Sequence, residues 1–163
     1  MTIILYSNIL QRKGGTLIKT YGGFLISQIR VIGGRIFEKI LKESGIDAFN
    51  GPQGRILYVL WEKGELSITE IGRLTSLANT TLTGMLDRME AAGLVVRIHN
   101  PKNRREIRIA LTSKAQDLRA DYDQVSEQAN AFFYNGFSDA EIEQFEDMLR
   151  RILRNHENAE KEK

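Results

Sequence analysis

Basic side chains are concentrated in one short stretch of the sequence. Residues 97–108 carry five Lys or Arg side chains against one acid, Glu106, which is a local net charge of +4 (five minus one). The basic residues are Arg97, Lys102, Arg104, Arg105 and Arg108. A mobile loop with this charge can lie along the phosphates of DNA or place a guanidinium in the narrow minor groove. The alternative is a charged hairpin that is merely solvated.

Short polar side chains share one face of the helix predicted before this stretch. That helix is expected to run from Asn79, its N-cap, to Ala92, with Gly93 ending it. Its polar face consists of Thr80, Thr81, Thr83, Gly84, Asp87 and Arg88. Short hydrogen-bonding side chains at the start of such a helix can reach base edges in the major groove. Asp87 and Arg88 either pair with each other or leave Arg88 to contact a phosphate.

We therefore predict two groups of DNA-contacting residues. The group on the helix is Asn79, Thr80, Thr81, Thr83, Gly84 and Arg88. The group on the hairpin is Arg97, Lys102, Asn103, Arg104 and Arg105. Phosphate contacts from the hairpin would supply affinity, and base contacts from the helix would supply sequence preference.

The elements before the polar helix have the order of a helix-turn-helix. One helix opens at Gly51-Pro52, because proline in the first helical position loses no hydrogen bond. A short helix follows behind a capping box of Ser67 and Glu70, and residues 75–78 make the turn. Gly72 is expected where the short helix passes close to the next helix, since a missing side chain permits that approach.

The elements after the polar helix predict a wing. Periodicity changes from helical to extended at residues 94–98 and 107–111, which form a hairpin with a long polar tip between them. The second strand alternates apolar and polar positions, so one of its faces is buried. The predicted fold is therefore mainly α with a small β-hairpin wing, a winged helix-turn-helix.

Amphipathic helices flank this unit on both sides. An apolar stripe begins at Phe24 and ends near Gly45, and Gly33 and Gly34 inside it indicate a close helix crossing or a kink. A long helix is predicted from a Thr112 cap to near Gly136.

The last helix is expected behind a capping box of Ser138 and Glu141, with a polar, frayed tail from about Asn155. These terminal stripes exceed what one small DNA-binding unit needs, so we predict a homodimer that binds a pseudo-palindromic operator. A self-sufficient monomer is the alternative. The predicted divisions are an arm at 1–20, a dimerisation helix at 21–50, the winged helix-turn-helix at 51–112, dimerisation helices at 113–155 and a polar tail at 156–163.

Composition argues against several other classes of protein. The 163 residues include no cysteine, which removes disulfides, thiolate zinc sites and thiol redox switches. The two histidines, His99 and His156, are far apart, and no glycine-rich phosphate loop or recognisable nucleophile with a base is present. We predict no metal, no cofactor and no enzymatic activity.

The apolar start of the sequence does not predict a membrane anchor. Residues 2–6 lack a basic lead-in and a cleavage site, and Arg12 and Lys13 interrupt the apolar run too early to span a bilayer. The expected location is the cytoplasm, with no membrane partner.

Four segments resemble the multiple-antibiotic-resistance regulator (MarR) family across roughly residues 24–154. They are LTGMLDRME at 82–90, GLV at 93–95, NPKNRR at 100–105 and LT at 111–112. The resemblance implies a triangular homodimer with interlocked terminal helices and two winged lobes on DNA. It also implies repression of nearby genes, and release from DNA by a small, often aromatic, molecule bound between the dimer and the DNA-binding parts.

The sequence departs from that family at two positions. Gly84 stands where the family often has arginine, and Asn103 stands where it usually has aspartate. The resemblance also implies a small aromatic or amphipathic effector, of unspecified identity, as an expected partner. Phe24, Tyr122 and Phe132 are expected in the core rather than in a pocket. A winged-helix module that binds protein or RNA is the alternative function.

Overall fold

The computed structural model of the chain describes residues 11–13, 16–18, 20–100 and 103–162. For residues 11–13, 16–18, 100 and 103–106 it describes the backbone alone. In the predicted arm, strand β1 (Gln11–Lys13) pairs antiparallel with strand β2 (Thr16–Ile18), and the remainder of residues 1–19 lies outside the described part. Helix α1 (Gly22–Glu43) follows and continues through both central glycines.

Local capping signals set the start of the next helices. Helix α2 (Gly51–Lys63) begins behind Asn50, whose side chain accepts from the amide of Gln53 at 3.0 Å. After strand β3 (Leu66–Ser67), helix α3 (Ile68–Thr75) has the predicted capping box: the amide of Ser67 donates to Glu70 at 2.8 Å. Helix α4 (Asn79–Ala91) ends before Gly93, which has a φ of +71°.

The wing is a three-stranded antiparallel sheet in the order β3-β5-β4. Strand β4 (Val95–Asn100) and strand β5 (Asn103–Leu111) extend further than predicted, so the tip is two residues long. The pairing shifts between His99, opposite Ile107, and Asn100, opposite Asn103. This irregularity extends the ladder into residues whose polar side chains had indicated a loop.

The C-terminal helices differ from the prediction at two places. The long helix is divided into α5 (Ser113–Asp117) and α6 (Arg119–Phe133). The indole of Trp61 donates to the carbonyl of Ala115 at 3.2 Å, which is the oxygen that the amide of Arg119 would bond in a continuous helix.

Helix α7 (Asp139–Lys161) has the predicted Ser138–Glu141 capping box, but it continues past the expected end at Asn155. Residues 156–161 are therefore helical rather than frayed. Their sequence, HENAEK, contains alanine, glutamate and lysine, which have high helix propensity on an exposed surface.

One hydrophobic core joins the helix-turn-helix, the sheet and the ends of α1 and α6. Its buried members are Ile40, Leu41, Phe49, Ile56, Leu57, Leu60, Leu66, Ile71, Leu82, Leu86, Met89, Leu94, Val95, Ile109, Ala115 and Val125. The predicted mainly helical fold with a β-hairpin wing is confirmed.

The apolar stripe of α1 is buried at one end and exposed at the other. Ile40 is buried, whereas Leu25 and Ile29 are exposed. A Cβ added to Gly33 or Gly34 would meet nothing within 4 Å, so these glycines make no close crossing within the described part of one protomer.

Two aromatic residues expected in the core lie on the surface instead. Phe24 is 55% exposed and Phe132 is 67% exposed, because no other described helix covers that face of α1 and α6. Tyr122 is half-buried as expected, yet it also lines a cavity. Within the described residues, no helix is both long enough and apolar enough to span a membrane.

Candidate nucleic-acid interface

The turn between α3 and α4 holds the two helices at close range. A Cβ added to Gly72 would lie 3.0 Å from the side-chain oxygen of Asn79 and 3.4 Å from the carbonyl oxygen of Leu77. The predicted close approach at Gly72 is therefore confirmed. Ser76 completes the turn with a φ of +54°, the left-handed region.

Asn79 is not the N-cap of α4, contrary to the prediction. Ala78 occupies that position without a side-chain cap bond, and Asn79 is the first helical residue. Its side chain lies over Gly72, because the missing Cβ leaves room for an amide there.

The exposed face of α4 carries the remaining predicted residues of the helix group. Thr80 and Thr81 are exposed, and their side-chain hydroxyls have no hydrogen bond to the described residues, whereas the hydroxyl of Thr83 donates to the carbonyl of Asn79 at 2.9 Å. A Cβ at Gly84 would lie 3.8 Å from a guanidinium nitrogen of Arg88, an ordinary contact distance. The face therefore presents two unused hydroxyl groups, an open position at Gly84 and one cation.

The predicted wing group is only partly described. Lys102 lies outside the described residues, and of Asn103, Arg104 and Arg105 the structure gives the backbone, as part of β5. Arg108 lies nearer the body of the protein, where its guanidinium donates to the carbonyl of Glu65 at 2.8 Å. The described part of the wing thus follows α4 in the chain, and its strand β4 contacts α4.

Asp87 forms an ion pair, but with Arg97 rather than with the neighbouring Arg88. The Nη2 of Arg97 lies 2.6 Å from the Oδ1 of Asp87, and its Nη1 contacts the carboxylate of Glu90. Burial works against the charged form of Arg97, but the hydrogen bond that it donates to Asp87 and the attraction of Glu90 outweigh burial and raise the pKa of the guanidinium. Arg97, predicted as a DNA contact of the wing, is therefore bound to α4, which we call the recognition helix because it is the second helix of the helix-turn-helix.

A cation that the sequence did not single out closes the end of α4. The ammonium of Lys114 donates to the carbonyl of Ala92 at 2.9 Å. A positive charge there complements the unsatisfied carbonyls at a helix C-terminus. The contact spans 22 positions of the chain, so no local pattern predicted it.

A cavity of about 650 Å³ opens where α1, α2 and α6 meet. Its charged lining consists of Arg30, Arg35 and Arg55 against one acid, Glu38. The carboxylate of Glu38 accepts from the amide of Gly51 at 2.8 Å, which ties α1 to the start of α2. The cavity therefore has an excess of positive charge at the junction between the terminal helices and the helix-turn-helix.

Two aromatic rings, those of Phe37 and Tyr122, line this cavity, and the rings of Tyr58 and Trp61 pack against Tyr122. The ring of Tyr122 lies 5.8 Å from that of Tyr58, 5.3 Å from that of Trp61 and 6.0 Å from that of Phe37. Burial raises the pKa of the Tyr122 phenol, although a hydrogen bond with Ser126 opposes the shift. The phenol is thus neutral near pH 7, and the cavity combines apolar ring surface with guanidinium groups.

Comparison with known proteins places the whole arrangement in a family. The family model described as MarR family matches residues 49–107. The transcriptional regulator YsmB of Bacillus subtilis is 30% identical over 118 residues, which are 69% of this chain and 81% of YsmB. This chain belongs to the MarR family. The regulator TtmR of Methylorubrum extorquens is 42% identical over 72 residues, which are 44% of this chain and only 37% of TtmR.

Solved structures of this MarR-family fold match most of the chain. BpsR of Bordetella bronchiseptica, studied for regulation of its DNA binding by 6-hydroxynicotinic acid, gives a TM-score of 0.73 at 22% identity and covers 82% of this chain and 98% of its own. A cysteine-to-serine mutant of MarR from E. coli, in complex with operator DNA, gives 0.71 at 23% identity and covers 80% and 92%. At these identities the matches support the fold.

Proposed function

We propose that this MarR-family chain is a sequence-specific DNA-binding transcriptional regulator, acting in the cytoplasm as a repressor rather than as an enzyme. The observation that carries the proposal is the exposed face of α4, where Thr80 and Thr81 present short side chains and Gly84 leaves the helix surface open next to Arg88. Such a face can enter the major groove without steric obstruction, and hydroxyl groups that have no partner among the described residues can bond to base edges.

The wing supplies the affinity in this proposal. Lys102, Asn103, Arg104 and Arg105 lie at or next to the hairpin tip, and their cations would meet phosphates or the minor groove. This part of the proposal rests on position in the hairpin and on charge.

A homodimer fits the exposed apolar surface of the terminal helices. Leu25, Ile29 and Ile32 on α1, with Phe132 and Leu153 near the other end of the chain, are exposed. Apolar surface of this extent indicates an interface, and a two-fold dimer would place two recognition helices on half-sites about 10 base pairs apart.

A planar aromatic anion is the effector that the cavity fits best. Rings such as Tyr122 would contact its faces, and Arg30, Arg35 or Arg55 would bind its carboxylate. Because the cavity lies between the terminal helices and α2, a ligand there would favour one spacing of the two DNA-binding lobes. The ligand named for BpsR, 6-hydroxynicotinic acid, belongs to this class.

Selection of bound sequences from a random duplex pool at two salt concentrations tests the DNA-binding function. We expect a pseudo-palindrome with half-sites about one turn apart. Recovery of no preferred sequence, with binding that disappears at moderate salt, would instead favour a winged-helix module for protein or RNA.

A displacement assay on the selected operator tests the effector. We expect 6-hydroxynicotinate to release the DNA and its uncharged amide to be much weaker, because only the acid can bond to guanidinium groups. The Arg35→Gln and Arg55→Gln double variant should bind DNA normally but respond less to the acid. Equal potency of acid and amide would contradict the predicted anion selectivity.

A further inference from the structure

Arg97 occupies an unusual position for a charged residue in the sheet. It pairs across the ladder with Ile109, which is fully buried, and Val95, two residues earlier on the same face of β4, is also buried. Residues directly opposite in an antiparallel pair, and residues two apart in one strand, share a face of the sheet. Arg97 therefore continues the core-facing row, and its side chain is only 21% exposed.

The two partners of Arg97 both lie on the recognition helix. Asp87 and Glu90 are three residues apart on α4, and each carboxylate accepts a hydrogen bond from one terminal nitrogen of the guanidinium. A half-buried cation needs such partners, because an unpaired charge there would be costly. The three side chains together carry a net charge of −1 (one minus two), which disfavours an additional phosphate at the same place.

The cluster of Arg97, Asp87 and Glu90 lies between the base of the wing and α4. Beyond Arg97, β4 continues to Asn100 at the tip of the wing, so the cluster lies where the hairpin leaves the core. Hydrophobic packing at Val95 and Ile109 anchors the inner part of the hairpin, and at the level of Ile109 the ion pairs of Arg97 join β4 to α4. A planar guanidinium held by two carboxylates restricts orientation as well as distance.

We propose that Arg97 does not contact DNA but is a positioning residue: with Asp87 and Glu90 it fixes the orientation of the wing relative to the recognition helix. The inference rests on the proposed DNA-binding function and assigns the three residues a common role in it. A rigid angle between wing and helix lets both elements contact one DNA site without a loss of conformational freedom on binding.

Replacement of Asp87 and Glu90 by neutral residues tests whether Arg97 positions the wing. A positioning role predicts weaker DNA binding, whereas the change of charge alone predicts stronger binding. The Asp87→Asn and Glu90→Gln double variant loses two negative charges beside the DNA-binding face, which by charge alone would strengthen binding. If Arg97 is a positioning residue, we expect this variant to bind the selected operator about tenfold more weakly, with a smaller ratio of specific to random-duplex affinity. The Asp117→Asn and Glu127→Gln double variant is the charge-matched control on exposed positions of α5 and α6.

Replacement of Arg97 itself completes a mutant cycle between Arg97 and the two acids. Arg97→Met should weaken operator binding by a similar factor. The triple variant that combines it with both acid replacements should bind only slightly more weakly, and Arg97→Lys should retain part of the affinity that Arg97→Met loses. The slope of affinity against salt should stay that of the wild type, whereas the loss of a phosphate contact would lower it by about 0.9. Unchanged or tighter binding by the acid double variant, or a reduced salt slope in Arg97→Met, would overturn the proposal.

A measurement without DNA separates this proposal from the proposed function. Because the chain contains no cysteine, Thr80→Cys and His99→Cys direct a pair of spin labels to α4 and the wing alone. With labelled chains diluted into unlabelled chains, we expect a narrow distance distribution that broadens in Arg97→Met and in the acid double variant. A distribution that stays narrow in both would refute the positioning role even if the operator is bound, and failure of the wild type to select any operator would count against the proposed function alone.

Discussion

Short residues dominate the surface of α4 that we propose enters the major groove. Thr80 and Thr81 keep their hydroxyl groups available, and Gly84 adds no side chain between them and Arg88. Glycine in the interior of a helix is costly, so its presence has to be compensated elsewhere or serve the contact surface. Among the described residues, Arg88, one turn later, is the cation that lies beside Gly84 on that face.

Gly84→Ala tests how much the glycine destabilises α4. The φ of Gly84 is ordinary and the new methyl group would have only the guanidinium of Arg88 at 3.8 Å, so we expect stabilisation by about 1 kcal/mol from helix propensity. Thermal unfolding should show a rise in Tm of roughly 2–4 °C. A fall in Tm would mean that the site is more crowded than the contact distance indicates.

Arg105 and Thr81 should differ in what they contribute to DNA binding. Arg105→Ala should weaken binding to every duplex and lower the salt slope by about 1, because one phosphate contact is lost. Thr81→Val keeps the shape of the side chain and should mainly relax sequence preference. Titrations of the operator and a random duplex at several salt concentrations measure both effects, and equal losses on the two duplexes for both variants would contradict this division of roles.

At the scale of elements, features fixed by neighbouring residues could be predicted and features fixed by distant residues could not. The capping boxes of α3 and α7 were predicted because both partners lie within four positions of the sequence. The division at Leu118 depends on Trp61, more than fifty positions away, and the ion pair of Asp87 depends on the other side of a turn and a strand. The shift of the N-cap to Ala78 follows from the contact between Asn79 and Gly72, which only the packed helix pair reveals.

Ser67→Ala tests the contribution of one predicted cap. The hydroxyl of Ser67 bonds both the carboxylate and the amide of Glu70, so we expect its loss to destabilise the chain by about 1 kcal/mol in denaturant unfolding. Ser113→Ala is the matched control, because Ser113 is exposed and Thr112, not Ser113, caps α5. Equal losses in the two variants would show that the cap bond contributes little.

At the scale of the whole molecule, the sequence predicted the winged helix-turn-helix and a need for a partner, but not which apolar residues are exposed. Periodicity shows that a helix has an apolar face without showing what covers it. The structure divides the stripe of α1 into a part buried in the core, at Ile40, and a part left open, at Leu25 and Ile29. The basic cavity could not be predicted either, since Arg30 and Arg55 come from different helices.

The open part of the α1 stripe gives a test of the dimer. Replacement of Leu25 and Ile29 by aspartate should produce a monomer in sedimentation velocity and abolish tight operator binding, because two charges cannot be buried at an apolar interface. Val96→Asp is the control for the sedimentation measurement: Val96 is 42% exposed, like Ile29, but lies on the outer face of the sheet. A dimer that persists in the double variant would place the interface elsewhere.

Trp61 gives the chain an intrinsic optical reporter. It is the single tryptophan, and its ring lies 5.3 Å from the ring of Tyr122, which forms part of the cavity wall. A molecule that enters the cavity and shifts Tyr122 would change the polarity around the indole, and with it the intensity and wavelength of fluorescence emission. Occupancy of the cavity can thus be followed on unlabelled protein, and compared in the same cuvette with the release of DNA.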